Sequence, residues 1–295
     1  MFGSLMTAMV TPFDDEGKLD LSQVPKLIDH LLTTGTTALV VAGTTGESPT
    51  LTHDEKLALF DACVSYAKGK IPVIAGTGSF STADTIALSK EAQALGVDGL
   101  LLVVPYYNRP SQEGLYQHFR AVANQVQKPI LLYNIPARTG SNLHVDTLCR
   151  LAEIDTIVGV KESSGDFAQI NAFITKTPND FLIYSGDDKF ALPTIALGGA
   201  GLVSVASHLV GYELSSMISA ITTGNLQAAQ SIQERLLPIF DVLFCTSNPV
   251  MVKAALSMID LPVGGVRLPL VQATSEELLR LRTILQQIMP LKVVD

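Results

Sequence analysis

Lys161 is the residue of this sequence best placed to act as a nucleophile, because it ends a short apolar run. Ile157, Val158 and Val160 with Gly159 are typical of a strand buried on both faces, and a Ser-Ser-Gly turn follows the lysine at once. Such a lysine either extends its ammonium group into solvent or holds an uncharged amine in a dry pocket, where the amine can attack a carbonyl. Keeping a lysine amine uncharged near neutral pH costs on the order of 4 kcal/mol, so the second interpretation requires a fold that supplies this environment.

Side chains that could assist such an amine follow other apolar runs. Thr44 and Thr45 lie between two glycines in Gly-Thr-Thr-Gly, where hydroxyls and backbone N–H groups can converge on a carboxylate; the alternative is an ordinary glycine-rich turn. Tyr107 and Tyr133 stand where two further runs end, and Arg138 follows the second. Strand-end tyrosines often serve only packing, and Arg138 alone could be a solvated loop cation. Together these groups suit an imine-forming enzyme, with a nucleophilic amine, phenols that move protons and donors for carboxylates.

The sequence favours no metal site, cofactor or other nucleophile. The five histidines share no ligand spacing, the three cysteines form no C-x-x-C pair, and no G-x-S-x-G motif is present. Gly76-Thr-Gly78 begins a dinucleotide motif, but Ser81 stands where its third glycine should be, so we interpret it as a loop. Gly186, in Ser-Gly-Asp-Asp, allows a close backbone approach to a ligand.

The elements that would position these residues repeat along the first two thirds of the chain. Helical patterns with apolar residues at i, i+3, i+4 and i+7 alternate with short apolar runs, and start signals such as the capping box of Thr52 and Glu55 precede the helices. Eight runs are typical of strands: Leu5–Val10, Ala38–Val41, Ile71–Ala75, Leu100–Val104, Ile130–Tyr133, Ile157–Val160, Leu182–Tyr184 and Gly201–Ser204. Eight such units predict an α/β fold of the (β/α)8 barrel type, with the chemistry at the carboxyl ends of the strands. A doubly wound open sheet is the alternative, but it needs no eighth strand.

The strand signal disappears after about Gly224. We therefore predict a catalytic barrel over residues 1–224 and a small helical region over residues 225–295. Helices are predicted at Leu226–Leu237, Pro249–Met258 and Ser275–Ile288. This region could support the barrel or an oligomer, and the sequence leaves both roles open.

Composition limits the class of protein. The chain has 295 residues, 47% of them apolar and 16% charged, with a net charge of −8, which argues against a nucleic-acid partner. No apolar run reaches the ~18 residues of a membrane span, and the mildly apolar N-terminus has no basic segment, so we expect neither a membrane segment nor a signal peptide. Three scattered cysteines indicate a reducing compartment, and we predict a cytoplasmic protein.

With these motifs, the sequence resembles the pyruvate-dependent class I aldolase family typified by dihydrodipicolinate synthase, which also includes N-acetylneuraminate lyase. The resemblance covers essentially the whole chain, and the matching stretches are Thr7–Phe13, Val41–Ser48, Pro105–Asn108, Tyr133–Gly140, Gly159–Glu162, Tyr184–Asp188, Gly201–Val205 and Val266–Leu270. It implies that Lys161 forms a Schiff base with pyruvate. Thr44 and Thr45 would hold the pyruvate carboxylate.

The resemblance also implies the remaining site residues and the assembly. Tyr133 would move protons to and from the imine, linked through Thr44 to Tyr107, which in this family reaches in from a neighbouring subunit. The backbone at Gly186 and Val203 would line the pocket. Arg138 would bind the carboxylate of L-aspartate-4-semialdehyde. The expected assembly is a homotetramer built as a dimer of dimers, with a dimer as the alternative.

The implied activity is that of a Schiff-base-forming lyase with no cofactor and no metal. It condenses pyruvate with L-aspartate-4-semialdehyde to 4-hydroxy-tetrahydrodipicolinate, which begins the diaminopimelate branch of lysine synthesis. N-acetylneuraminate lyase and 2-keto-3-deoxy sugar-acid aldolase activities are the alternatives, and Arg138 favours the synthase. A barrel that binds a keto acid without converting it is an alternative of another class. Feedback-sensitive members bind lysine between subunits; Lys56 and Phe80 depart from their pattern, which predicts weak or absent inhibition by lysine.

Overall fold

The barrel predicted from the eight apolar runs is confirmed. A computed structural model describes residues 2–289. Eight parallel strands form a closed barrel in chain order, and β8 pairs with β1. The strands are β1 (Leu5–Ala8), β2 (Ala38–Val41), β3 (Val73–Gly76), β4 (Gly99–Val103), β5 (Ile130–Asn134), β6 (Ile157–Glu162), β7 (Leu182–Ser185) and β8 (Gly201–Ser204). The third strand begins at Val73 rather than Ile71, because Pro72 between them has no N–H to give to the ladder.

Two apolar cores flank the barrel wall. One fills the inside of the barrel and includes Met6, Val40, Ile74 and Leu101, all almost completely buried. The other lies between the strands and the surrounding helices. Because strands buried on both faces read as nearly continuous apolar runs, the runs identified the strands well. A polar side chain within this inner core is therefore removed from water.

Twelve helices surround the barrel or follow it within residues 2–289. They are α1 (Val24–Thr33), α2 (His53–Ala67), α3 (Thr82–Ala94), α4 (Gln112–Ala123), α5 (Pro136–Thr139), α6 (Val145–Leu151), α7 (Phe167–Lys176), α8 (Ala191–Ala196), α9 (Ser207–Thr222), α10 (Leu226–Leu243), α11 (Val250–Met258) and α12 (Ser275–Ile288). The capping box of Thr52 and Glu55 begins α2, as the sequence predicts. Among these helices, none is long and apolar enough to cross a membrane.

The helix predicted to end at Leu237 continues to Leu243, so that boundary was wrong. Pro238 lies inside α10. Proline removes one backbone hydrogen bond, but residues 234, 235, 237 and 238 are exposed, so the freed carbonyl can turn to water. The buried Leu236, Ile239 and Phe240 keep the inner face of α10 packed through this turn. Helix α10 packs against α9 and α12, and α11 packs against α9 and α12.

Candidate active site

Lys161 lies inside the barrel near the carboxyl end of β6. The side chain is only 5% exposed, and in the strand register it stands between Tyr133 of β5 and Tyr184 of β7. Its Nζ lies 4.1 Å from the centroid of the Tyr133 ring. The Tyr184 hydroxyl instead donates a hydrogen bond to the carbonyl of Gly3, so Tyr133 is the phenol that faces the amine.

The neighbouring carboxylate does not neutralise this amine, because Glu162 points to the other face of the strand. Glu162 accepts hydrogen bonds from Asn134 Nδ2 at 2.9 Å and from the Ser164 N–H at 2.6 Å. Burial raises the pKa of Glu162, and these hydrogen bonds oppose the rise. Among residues 2–289, no carboxylate lies within ion-pair distance of Lys161.

Gly186 packs directly against the lysine side chain. A Cβ at this position would lie 2.8 Å from Lys161 Cε and would overlap Ser163 Oγ. The Gly186 N–H donates to the Glu162 carbonyl at 2.8 Å, which fixes the turn after β7 beside β6. The position therefore has no room for any side chain, and this is a stricter requirement than the close approach expected from the sequence.

A cavity of about 270 Å³ opens at this end of the barrel. Thr44, Tyr133 and Arg138 all line it. Arg138 is exposed on the short helix α5, at the rim. Lys161 is not itself part of the cavity wall, but its amine contacts the ring of Tyr133, which lines the cavity. The complete wall is Ala42, Gly43, Thr44, Ser48, Pro49, Gly76, Gly78, Leu101, Val103, Tyr106, Tyr133, Ile135, Arg138 and Thr139.

The loop Gly43–Ser48 after β2 has the form of an anion cradle. Ala42 and Glu47, which flank its centre, adopt left-handed backbone conformations with φ of 51° and 54°. Among residues 2–289, the N–H groups of Thr44 and Thr45 donate to no protein acceptor, so both are available to a ligand. Left-handed non-glycine residues cost of order 1–3 kcal/mol each and concentrate at functional loops.

Thr45 and Thr44 have different surroundings, although the sequence places them side by side. Thr44 lines the cavity, whereas Thr45 is only 2% exposed and its Oγ1 accepts a hydrogen bond from Asn248 Nδ2 at 2.9 Å. The structure therefore places the Thr44 side chain, but not the Thr45 side chain, in the cavity wall. Val203 is buried inside the barrel in register with Met6, and it too lies outside the wall.

Tyr107 is not part of the site within one chain. Its side chain is 92% exposed, and its backbone has a φ of 70°. The adjacent Tyr106 lines the cavity instead and packs edge-on against Phe80, with ring centroids 5.3 Å apart. Burial raises the pKa of Tyr106.

Two buried polar groups at the carboxyl ends of β6 to β8 were not identified from the sequence. Ser163 Oγ is buried and has no hydrogen-bond partner among residues 2–289. Asp188 is completely buried; it accepts from Ser204 Oγ at 2.5 Å and from the N–H groups of Val205 and Ala206, and burial raises its pKa to about 6. Asp188 thereby ties the turn after β7 to the end of β8. The sequence shows a second aspartate in Ser-Gly-Asp-Asp, but only the tertiary structure shows that its side chain is buried against the end of β8.

The residues that the structure describes contain no group of three or more histidine, cysteine or acidic side chains arranged to hold a metal ion. The cysteines at 63, 149 and 245 are all free.

Comparisons with known proteins agree on one family. The model of the dihydrodipicolinate synthetase family matches residues 1–288. The 4-hydroxy-tetrahydrodipicolinate synthase of Moorella thermoacetica is 56% identical over 276 residues, which is 94% of each chain. The crystal structure of the synthase from Cyanidioschyzon merolae with lysine bound is 45% identical, covers 97% of this chain and 98% of that chain, and has a TM-score of 0.96. The chloride-inhibited synthase from Acinetobacter baumannii complexed with pyruvate is 38% identical, covers 98% of this chain and 99% of that chain, and has a TM-score of 0.95.

Proposed function

The chain belongs to the dihydrodipicolinate synthetase family, and from that premise we propose that it condenses pyruvate with L-aspartate-4-semialdehyde to 4-hydroxy-tetrahydrodipicolinate, at the start of the diaminopimelate branch of lysine synthesis. The observation that carries this proposal is Lys161, buried near the carboxyl end of β6 with its amine 4.1 Å from the Tyr133 ring. The adjoining cavity has Thr44 at one side and Arg138 at its rim. This arrangement supports a lyase that works through a Schiff base.

The first half of the reaction makes the nucleophile. The Lys161 amine attacks C2 of pyruvate, water leaves, and an imine forms. The N–H groups of Thr44 and Thr45 hold the pyruvate carboxylate, while Gly186 packs against the Lys161 side chain and Val203 lies inside the barrel, outside the cavity wall. The Tyr133 hydroxyl carries protons to and from the imine, with Thr44 linking it to Tyr107 of a neighbouring subunit. Loss of a methyl proton turns the imine into an enamine, so the lysine nitrogen serves as the electron sink and no cofactor or metal is needed.

The second half joins the two substrates. The guanidinium group of Arg138 binds the carboxylate of the semialdehyde, which places the aldehyde over the enamine. The enamine carbon attacks the aldehyde carbon, and the substrate's own amine then displaces Lys161 as the ring closes. Arg138 at the rim also supports the synthase over N-acetylneuraminate lyase or a 2-keto-3-deoxy sugar-acid aldolase, because its charge complements a small amino-acid carboxylate.

Borohydride reduction in the presence of pyruvate tests the first half directly. We expect mass spectrometry to locate a reduced pyruvate adduct on Lys161 in the parent and in Lys90→Ala, an exposed lysine on α3, and to find none in Lys161→Ala. A coupled assay with pyruvate and the semialdehyde, run beside N-acetylneuraminate, tests the second half. A parent protein with no adduct would instead be a keto-acid binder. Turnover of N-acetylneuraminate alone would assign the neuraminate activity.

We propose a homotetramer built as a dimer of dimers, with the dimer as its smallest active unit. Tyr107 supports this, because 92% of its side chain is exposed beside the cavity and Phe80 nearby is 49% exposed.

Mixing two inactive variants, Lys161→Ala and Tyr107→Ala, tests whether Tyr107 acts across the interface. In a hybrid dimer, one site then receives an intact Lys161 from one subunit and an intact Tyr107 from its partner. Random exchange makes half the dimers hybrid, and each hybrid regains one of its two sites, so roughly a quarter of the parent activity should return. No recovery of activity would show that Tyr107 acts in the site of its own subunit. Analytical ultracentrifugation then separates dimer from tetramer.

We also propose a cytoplasmic setting and the division into a catalytic barrel, residues 1–224, and a helical region, residues 225–295. Free cysteines support the reducing compartment. The division is supported by the position of the cavity wall, which lies entirely within the barrel.

A further inference from the structure

Three residues of the C-terminal helical region contact the loop Gly43–Ser48, two through their side chains and one through its backbone. Asn248 Nδ2 donates to Thr45 Oγ1 at 2.9 Å. Lys253 Nζ forms an ion pair with Glu47 Oε1 at 2.8 Å, and the backbone N–H of Arg267 donates to Glu47 Oε2 at 2.9 Å. None of the three belongs to the cavity wall. The loop that borders the cavity is therefore held by the C-terminal region, through contacts that lie outside the cavity wall.

The Lys253–Glu47 pair is almost completely dry. The two side chains are 2% and 1% exposed. Lys253 Nζ also donates to the carbonyl of Gly265 at 2.6 Å and lies 4.1 Å from the centroid of the Phe13 ring. A buried ion pair is weak evidence for added stability, because removing two charges from water costs about as much as their attraction returns. What such a pair supplies here is a single, defined position for the Glu47 side chain.

That position matters because Glu47 stands at the strained end of the cradle. Its φ of 54° is a left-handed backbone conformation. This conformation is strained for a non-glycine residue, so it persists only when the surrounding contacts hold it. Its N–H donates to the Thr44 carbonyl at 3.0 Å, so a change at Glu47 passes directly to Thr44. The Lys253 and Arg267 contacts oppose such a change.

Arg267 also ties the continuation of the loop to the same region. Its guanidinium group binds both carboxylate oxygens of Glu55, at 2.8 and 2.5 Å, and donates to the Thr50 carbonyl at 2.9 Å. This contact lowers the pKa of Glu55 to about 2, so the pair stays charged at any physiological pH. The chain from Thr45 to Glu55 is thus attached to the C-terminal region at both ends and in its middle.

We propose that Asn248, Lys253 and Arg267 are positioning residues that hold the Gly43–Ser48 loop in the shape that binds the carboxylate of the keto-acid substrate. The proposal rests on the function proposed above and assigns the C-terminal region a part in substrate affinity, beyond mechanical support of the barrel. Its effect is confined to the keto acid. Arg138, which takes the second substrate, lies on α5 and forms no hydrogen bond or ion pair with Asn248, Lys253 or Arg267.

The main experiment separates substrate affinity from stability in the full-length enzyme. Glu47→Gln/Lys253→Met removes both buried charges while keeping similar volumes, and Asn248→Ala removes one hydrogen bond. We expect the KM for pyruvate to rise about tenfold in the double variant, a loss of about 1.4 kcal/mol, with the KM for the semialdehyde changed less than twofold. Arg150→Met is the matched control, since it breaks an exposed ion pair with Glu113 on the far helices α4 and α6. It should leave both KM values unchanged.

A mutant cycle tests whether Asn248 acts through Thr45. Thr45→Val removes the hydroxyl but keeps the shape, so Asn248→Ala/Thr45→Val should have the same KM for pyruvate as the more affected single variant. Additive increases would overturn this link. If the double charge variant fails to fold, Asn248→Ala still decides the question, because it removes one contact to the loop and leaves the Lys253–Glu47 pair in place.

A lower melting temperature with an unchanged KM for pyruvate in every variant would overturn the proposal and leave only a supporting role. Failure of the proposed function gives a different result, because the parent itself would then form no borohydride-trapped adduct with pyruvate.

Discussion

Replacing Gly186 with alanine tests the geometry around Lys161 by adding a single methyl group. This methyl would lie 2.8 Å from Lys161 Cε and 2.9 Å from Lys161 Cγ, and it would overlap Ser163 Oγ. Carbon atoms in contact prefer about 3.5–4.0 Å, so the lysine side chain must move by about 1 Å. Overpacking of this kind also costs about 1–3 kcal/mol of stability.

The expected functional loss is larger than the stability loss suggests. A displacement of about 1 Å in a reacting group can lower a rate by about 100-fold, which corresponds to about 2.7 kcal/mol in the barrier. We therefore expect Gly186→Ala to form the borohydride-trapped pyruvate adduct about 100-fold more slowly, measured by mass spectrometry over time. The folded protein should still show a cooperative melting transition.

A second glycine distinguishes this steric effect from general destabilisation. Gly69 after α2 has a φ of 77°, and a Cβ there would meet nothing within 4 Å. Gly69→Ala should therefore cost only backbone strain, about 1–2 kcal/mol, and leave the trapping rate unchanged. Ser163→Ala/Gly186→Ala relieves the overlap with the hydroxyl but not with the lysine, so it should remain slow. A Gly186→Ala protein that traps pyruvate at the parent rate would refute the placement of Lys161.

Three further predictions concern other parts of the site. Arg138→Ala should lower kcat/KM for the semialdehyde by about 10- to 100-fold, because a charge-assisted contact is lost, while trapping with pyruvate changes less than twofold; equal losses in both assays would contradict its assigned role. L-lysine should inhibit weakly or not at all, since Lys56 places a cation and Phe80 a ring at positions that the family resemblance assigns to the lysine site of feedback-sensitive members, and half-maximal inhibition at sub-millimolar lysine would contradict this. Asp188→Asn should change the pH dependence of unfolding. Burial raises the pKa of Asp188 in the folded protein to about 6, so the folded state binds this proton more tightly than the unfolded state does. The stability of the parent from this group is therefore fully present below about pH 4 and is lost as the pH rises through 6. Relative to the parent, the variant should gain roughly 2 kcal/mol in free energy of unfolding between pH 4 and pH 7, and a constant difference across that range in urea titrations would contradict the buried, ionisable state.

The eight strands could be predicted because both faces of each are buried, which leaves an apolar run in the sequence itself. Lys161 was identifiable for the same reason, since it interrupts such a run next to a turn. Helix ends with a local chemical cause, such as the capping box of Thr52 and Glu55, were also predictable. The end of α10 was not, because whether Pro238 breaks a helix depends on which face of that helix meets water.

By itself, the sequence determined the barrel, the order of its strands and the candidate residues at their carboxyl ends, because all of these leave patterns within about thirty residues. Only the tertiary structure decided how those residues face one another. It turned Thr45 toward Asn248, 203 residues away, directed Tyr107 outward and brought Lys253 to Glu47. The physical reason is that a buried polar group needs a partner of suitable geometry rather than a particular neighbour in the chain, and residues 200 positions apart carry no local mark of their contact.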